Sequence, residues 1–238
     1  MKDAWKFGSV RYLNGRPLIE GLCGKVELMT PAELTARFVS GELDAALLSI
    51  ADVFDLENVE IVPGAAIGCR GPVYSVVLAY RGELNQLRRV ALDPASRTSS
   101  GLLRVVMESF LGIKCEYLPR AESAEEARLI IGDPAIAFRK QASAEWRFLD
   151  LGEAWHQQTG LPFVFAVWVV RNSHPDRVAI RQTLQDSLKL GLQNIPQIAA
   201  VEADPDFARE YLTRYIRYEF GEEQMQAVAR FRELLDEI

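Results

Sequence analysis

The chain has 238 residues, 49% hydrophobic and 25% charged, with a net charge of −6 at pH 7. That composition is ordinary for a folded globular protein and excludes a disordered chain, while the length admits one large domain or two small ones. Most of the excess acidity lies in residues 202–238, with ten acids against five arginines; residues 81–104 reverse the sign, with five arginines against Glu83 and Asp93. So short and mixed a basic segment suits a small anionic ligand and argues against nucleic acid. Cys23, Cys69 and Cys115 have no metal-like spacing and read as reduced or buried thiols. The N-terminus has no apolar signal core and no run of about 18 apolar residues occurs, so the expected location is the cytoplasm, with no membrane partner.

In chain order, "KFGSV" reads as a strand and "YLNGRPLIEGL" as a loop entering a short helix. "KVELMT" is a strand ending at Thr30, the expected N-cap of "PAELTARFVSGEL", with Pro31 at the first helical position and Leu34, Phe38 and Val39 on its apolar face. "DAALLS" is a buried strand, "IADVFD" a short helix, and "VEIVPGAAIG" and "YSVVLAY" are strands. After Tyr80 the pattern restarts: strand "RVALD", helix "GLLRVVMESFLG", strand "CEYLP", helix "SAEEARLII" and strand "AIAFR". "FVFAVWVV", Phe163 to Val170, is the most apolar strand and leads out of this segment.

The remainder is helical. Ile180, Leu184, Leu188 and Leu192 form one stripe; Asp204-Pro205 opens a helix with Phe207, Tyr211, Leu212 and Tyr215; Met225, Val228, Phe231 and Leu235 mark the last. Alternation of this kind predicts α/β architecture. We expect two lobes, residues 1–80 plus 171–238 and residues 81–170, joined by strands crossing near Ala79–Gly82 and Ala166–Arg171, with a ligand cleft between them.

One turn is unusually polar. Between Val90–Leu92 and the helix carrying Leu102, Leu103, Val106, Phe110 and Leu111 stand Asp93, Ser96, Arg97, Thr98, Ser99 and Ser100. Either Ser99 or Ser100 is the expected N-cap, with Gly112 just past the helix end. A cap needs one hydroxyl, however, and here four surround an arginine at the positive end of a helix. That arrangement favours a bound anion.

Familiar catalytic signatures are absent. His156 and His174 are far apart, and the sequence contains no HExxH, CxxC, GxGxxG, P-loop or GxSxG pattern. We therefore expect no metal and no cofactor. Polar residues at strand and loop ends remain as site candidates: Asn14 and Arg16 in "YLNGRPL", Ser49 closing "AALLS", Ser75 opening "SVVLAY", and Gly132 and Asp133 in "IGDPAI". Taken singly, each also reads as a turn, cap or surface residue. In "TGLPFVFAVW", Phe163, Phe165 and Trp168 fit either a core or an apolar wall around a ring-shaped ligand, with His156 just upstream.

The pieces "VRYLNGRPL", "GELDAALLSI", "VYSVVL", "LDPASRTSSGLL", "IGDPAI" and "DLGEAWHQQTGLPFVFAVW", spanning about Phe7 to Arg171, resemble in order the menaquinone-biosynthesis enzymes of the futalosine pathway. The chorismate dehydratases are the closer match; the sister enzyme acting on cyclic dehypoxanthine futalosine is the alternative, and a non-catalytic small-carboxylate-binding protein the other. The resemblance implies a type II periplasmic-binding-protein-like fold and a hydro-lyase that removes water from chorismate without a cofactor. It also implies that Thr98 and Ser99 receive a substrate carboxylate and that Arg97 adds charge or braces the turn. Asn14 becomes the candidate at the reacting centre, with Arg16, Ser49, Ser75, Gly132 and Asp133 as further substrate contacts. Asp133 is the weaker candidate for a base, and the substrate's own side-chain carboxylate an alternative one. Neither oligomeric state nor a role for His156 is readable.

Overall fold

In a computed structural model, residues 5–22, 25–121 and 127–238 are described. The strands are β1 (Lys6–Val10), β2 (Lys25–Met29), β3 (Ala45–Ser49), β4 (Val59–Cys69), β5 (Val76–Tyr80), β6 (Arg89–Ala91), β7 (Glu116–Leu118), β8 (Ala127–Ile131), β9 (Arg147–Asp150) and β10 (Phe163–Arg171). The α-helices are α1 (Pro31–Val39), α2 (Ile50–Val53), α3 (Arg97–Arg104), α4 (Gly132–Gln141), α5 (Leu151–Thr159), α6 (Arg177–Gln193), α7 (Ile195–Ala200), α8 (Pro205–Glu210) and α9 (Glu222–Asp236). A 3-10 segment covers Leu13–Ile19. The chain forms two compact units: one runs to Gly68 and resumes over Val164–Glu222, the other comprises Cys69–Phe163 and Glu223–Ile238.

The first unit is built on a sheet of order β2-β1-β3-β10-β4. β1 runs parallel to β2 and β3, whereas β10 is antiparallel to β3, with Ala166 opposite Ser49 and Trp168 opposite Leu47. Every residue of β3 is buried, and so is β10 up to Val170, which is why both read as unbroken apolar runs. Thr30 caps α1 through a reciprocal box with Glu33, as its spacing predicts.

α6 lies directly on the 3-10 segment. A Cβ on Gly191 would stand 1.9 Å from Pro17 O, and Ser187 Oγ shares its proton between Leu18 O at 3.0 Å and Glu20 O at 2.8 Å. Only glycine lets the two backbones approach this closely.

The second unit has a sheet of order β7-β6-β8-β5-β9. β6 is parallel to β7 and β8, and β5 runs antiparallel to β8 and β9. Its core includes a ring cluster: Trp155 of α5 lies 5.2 Å from Phe163 and 6.1 Å from Phe231 of α9, edge to face. Leu235 of α9 sits against Gly101 in α3, where a Cβ would fall 2.9 Å from its Cδ1.

Three expectations are corrected. The helix expected over Ser123–Ile131 begins outside the described residues, and its remainder, Ala127–Ile131, is strand β8 with strictly alternating burial. The strand expected at Ala135–Arg139 lies inside α4. The physical cause is local: Gly132 takes φ +64° to turn the chain, and Asp133-Pro134 then opens a helix. The division of the chain also falls elsewhere, at Gly68/Cys69 and Phe163/Val164, and the final helix groups with the second unit because Phe231 and Leu235 complete that unit's core.

Gly191→Ala is expected to lower stability by about 1–3 kcal/mol, the range for overpacking a filled interface, measured by urea unfolding at equilibrium.

Candidate functional site

In both units, polar candidates gather where parallel strands end and helices begin. The second unit shows this most fully. β6, β8 and β9 finish at the same edge of the sheet, because Val76 of β5 pairs with Ile131 and Val77 with Asp150. α3, α4 and α5 start from that edge. Helix starts carry N–H groups without intrahelical partners and a partial positive charge, and three of them lie at this one edge.

Among the sequence-predicted residues here, Ser75, Thr98, Ser99 and Gly132 are buried, while Arg97 and Asp133 are exposed at the starts of α3 and α4. Ser75 and Gly132 are brought together: Gly132 N–H donates to Ser75 O at 2.8 Å. The cap of α3 is Ser96, three residues before Ser99, which corrects the expected Ser99 or Ser100. Its Oγ accepts Ser99 N–H at 3.2 Å and donates to Ser99 Oγ at 3.1 Å. Thr98 and Ser99 are thereby in the first helical turn, beyond the position at which a hydroxyl serves as the cap.

Asp93 ties this turn to the neighbouring strand. Its carboxylate accepts N–H groups from Ala95, at 2.9 Å, and Ile131. Burial pushes its pKa above the usual carboxylate value, opposed by those two hydrogen bonds.

Asp150 is a residue that the sequence analysis missed. It caps α5 by accepting Glu153 N–H at 3.2 Å, and it also accepts Val73 N–H at 3.0 Å and Tyr74 N–H at 2.8 Å. The spacing Asp150-x-x-Glu153 before an apolar stretch was the available signal, since it matches a capping box. Tyr74 has φ +66° and offered no signal, because tyrosine is not a residue that favours left-handed backbone. His156, in α5, is satisfied locally by Leu161 O at 3.0 Å from Nδ1.

The first unit holds Asn14, Arg16 and Ser49. Asn14 lies at the start of the 3-10 segment after β1 and Ser49 ends the adjacent strand β3, so both are at the carboxyl edge of this sheet. Tyr218 Oη donates to the backbone O of Asn14 at 3.1 Å, and burial, with Tyr211 nearby, raises the Tyr218 pKa far above that of a free phenol. It stays a protonated donor. Asn14 is 9% exposed, and its Oδ1 has no hydrogen-bond partner among the described residues; neither has the Oγ of fully buried Ser9. Buried acceptors are rarely left so, and Asn14 Oδ1 is therefore available to a donor from outside the chain.

Ser49 Oγ donates to Asp52 at 2.9 Å, and the same carboxylate oxygen accepts Thr35 Oγ1 at 2.9 Å. With its proton so engaged, Ser49 can only accept from a ligand. Arg16 is half-exposed, pairs with Glu202 at 3.0 Å and lines a surface pocket of about 370 Å³ with Arg11, Ile198 and Val201. Neither Asn14 nor Ser49 lines that pocket.

Among the described residues there is no group of three or more His, Cys, Asp or Glu arranged to hold a metal ion. None of the helices among them is long and apolar enough to cross a membrane.

Comparison with known proteins adds three findings. A family model described as menaquinone biosynthesis matches residues 5–237. A chorismate dehydratase of Thermus thermophilus is 33% identical, over 96% of this chain and 94% of its own length, and one of Campylobacter jejuni is 25% identical over 92% and 88%. The Candida albicans CA3427 gene product, which exhibits the generic periplasmic binding protein fold, superposes with a TM-score of 0.67 over 99% of this chain and 90% of its own, at 14% identity. The fold of this chain is therefore periplasmic-binding-protein-like, as expected.

The cap assignment predicts that Ser96→Ala will cost about 1 kcal/mol, whereas Ser100→Ala, which removes only a long contact to Asp93 O at 3.4 Å, will stay within about 0.5 kcal/mol of the wild type. Urea unfolding of the two variants measures both.

Proposed function

We propose, from the premise that this chain belongs to the menaquinone-biosynthesis family, that its substrate is chorismate and its product 3-(1-carboxyvinyloxy)benzoate. The protein is a dehydratase of that pathway, a lyase acting on a small anionic molecule. The observation that carries the choice of substrate is the match to a chorismate dehydratase along nearly the whole of both chains.

The reaction makes modest demands. Removing the ring proton beside the enol ether and expelling the neighbouring hydroxyl leaves an aromatic ring, which supplies a large driving force. The protein must hold two carboxylates, orient the ring and assist one proton transfer. In our reading Thr98 and Ser99 receive a carboxylate in the first turn of α3, where N–H donors and the helix dipole favour it. In the same reading Gly132 and Ser75, joined by a backbone hydrogen bond, border the bound carboxylate, and exposed Arg97 and Asp133 are further contacts of the substrate.

Asn14 stands at the reacting centre. An amide is too weak a base to take the ring proton, so the substrate's side-chain carboxylate takes it and passes it to the neighbouring hydroxyl, which leaves as water, while Asn14 Oδ1 accepts that hydroxyl's own O–H and orients it. Ser49, fixed by Asp52, accepts a second donor. Arg16, held by Glu202, is the candidate furthest from this assignment. A cytoplasmic location is part of the same proposal.

Incubation of the purified protein with chorismate is expected to yield a product lighter by one water, followed by chromatography and mass. Asn14→Ala should lower kcat by about 10²-fold or more with KM little changed, as for loss of a group assisting proton transfer. Thr98→Ala/Ser99→Ala should instead raise KM. Unchanged chorismate alongside turnover of cyclic dehypoxanthine futalosine would assign the sister activity, and binding without turnover of either would leave a carboxylate-binding protein.

A further inference from the structure

The chain enters β5 through a γ-turn. Ser75 N–H donates to Val73 O at 2.8 Å across Tyr74, whose φ is +66°. γ-turns with positive φ at the centre are rare and strained. Among the described residues the other non-glycine with positive φ is Asn58, of a type that tolerates left-handed backbone; tyrosine is not.

The surroundings of Tyr74 hold it there from both sides of its peptide units. One carboxylate oxygen of Asp150 accepts Val73 N–H at 3.0 Å and the other accepts Tyr74 N–H at 2.8 Å. Arg139 Nη1 donates to Tyr74 O at 2.9 Å, its guanidinium lies 4.0 Å from the centre of the Tyr74 ring, and the same nitrogen is 3.5 Å from Asp150 Oδ2. Capping α5 does not account for this. The cap uses Oδ1 on Glu153 N–H, whereas Oδ2 faces Tyr74 and Arg139. The turn delivers the chain to Ser75, fully buried, whose carbonyl receives the first N–H of α4 from Gly132. A strained residue persists only where its surroundings over-determine it, and such residues concentrate at working sites.

We propose that Asp150 and Arg139 are positioning residues for the dehydration: they lock Tyr74 in the left-handed conformation, which places Ser75 and, through Gly132, the start of α4. Neither touches the substrate; both act through the backbone of the turn. The proposal rests on the assignment of Ser75 and Gly132 to the border of the bound carboxylate.

Arg139→Met removes the donor and the charge while retaining a long side chain. It is expected to lower kcat on chorismate about tenfold, the scale of a small misplacement, with KM within about twofold and little change in melting temperature. Adding Tyr74→Gly should recover at least about threefold of that loss, because glycine adopts positive φ without a clamp. Asp150→Asn, which keeps one of the two acceptor oxygens, should show the same partial rescue by Tyr74→Gly. Wild-type kcat in Arg139→Met, or no recovery in either double variant, would overturn the proposal; a purely structural role would lower the melting temperature and be insensitive to Tyr74→Gly. If the wild-type protein does not turn over chorismate, the substrate reading fails separately. The clamp is then decided by hydrogen exchange at the Ser75 amide, expected to quicken in Arg139→Met and slow again in the double variant, with unchanged exchange in Arg139→Met refuting it.

Discussion

The first N–H groups of a helix have no partner inside it, and that constraint organises both units of this protein. Helices begin just after β2, β3, β6, β8 and β9 end, so their orphan donors accumulate at one edge of each sheet. Some are satisfied from within: Thr30 caps α1, Ser96 caps α3 and Asp150 caps α5. α4 begins without a side-chain cap, since Ile131 occupies that position, and its first N–H goes to Ser75 O instead. The polar residues collected at these edges are answers to the same shortage of acceptors. The substrate carboxylate we propose for α3 is one more answer of this kind, which open α/β sheets commonly use.

A different constraint governs Asn14. It lies on a 3-10 segment, a short form whose hydrogen bonds hold it poorly alone. Its fixity is imposed from far along the chain. Gly191 lets α6 approach the backbone of Pro17, Ser187 and Asn194 bond Leu18 O and the Glu20 side chain, and Tyr218 reaches the Asn14 carbonyl. The helical segment after β10 thus fixes the Asn14 segment from a distance in sequence. Tyr218 is itself set by backbone bonding, Ala66 N–H donating to Tyr218 O at 3.0 Å.

Much of this was legible in one dimension. The alternation of apolar runs with capped helices located β1 to β7 and α1, and Thr30-Pro31 marked its helix start to the residue. The crowding of Ser96 to Ser100 correctly marked a helix start at the end of a buried strand. Residues 127–139 misled because "ARLII" is rich in apolar residues at spacings that suit either period, and a run that short does not discriminate. The cap at Ser96 was displaced because four adjacent hydroxyls offer the same chemistry, and only backbone dihedral angles separate them: Ser96 is extended, φ −140° and ψ 109°, while helix begins at Arg97. α9 was assigned by adjacency in sequence, whereas Phe231 and Leu235 found their partners in Trp155, Phe163 and Gly101.

The amino-acid sequence by itself determined the fold class, the helix starts that carry strong caps, and the family to which the chain belongs, because these rest on local periodicity, short-range hydrogen bonding and motif order. Only the tertiary structure decided which helix completes which core, that Asn14 Oδ1 and Ser9 Oγ are buried without partners among the described residues, and that Tyr74 is held at positive φ by Asp150 and Arg139. The clamp on Tyr74 and the bond from Tyr218 to Asn14 depend on groups between 65 and 204 residues apart meeting within hydrogen-bond distance. No local pattern encodes such a meeting, since it is set by how whole sheets and helices pack.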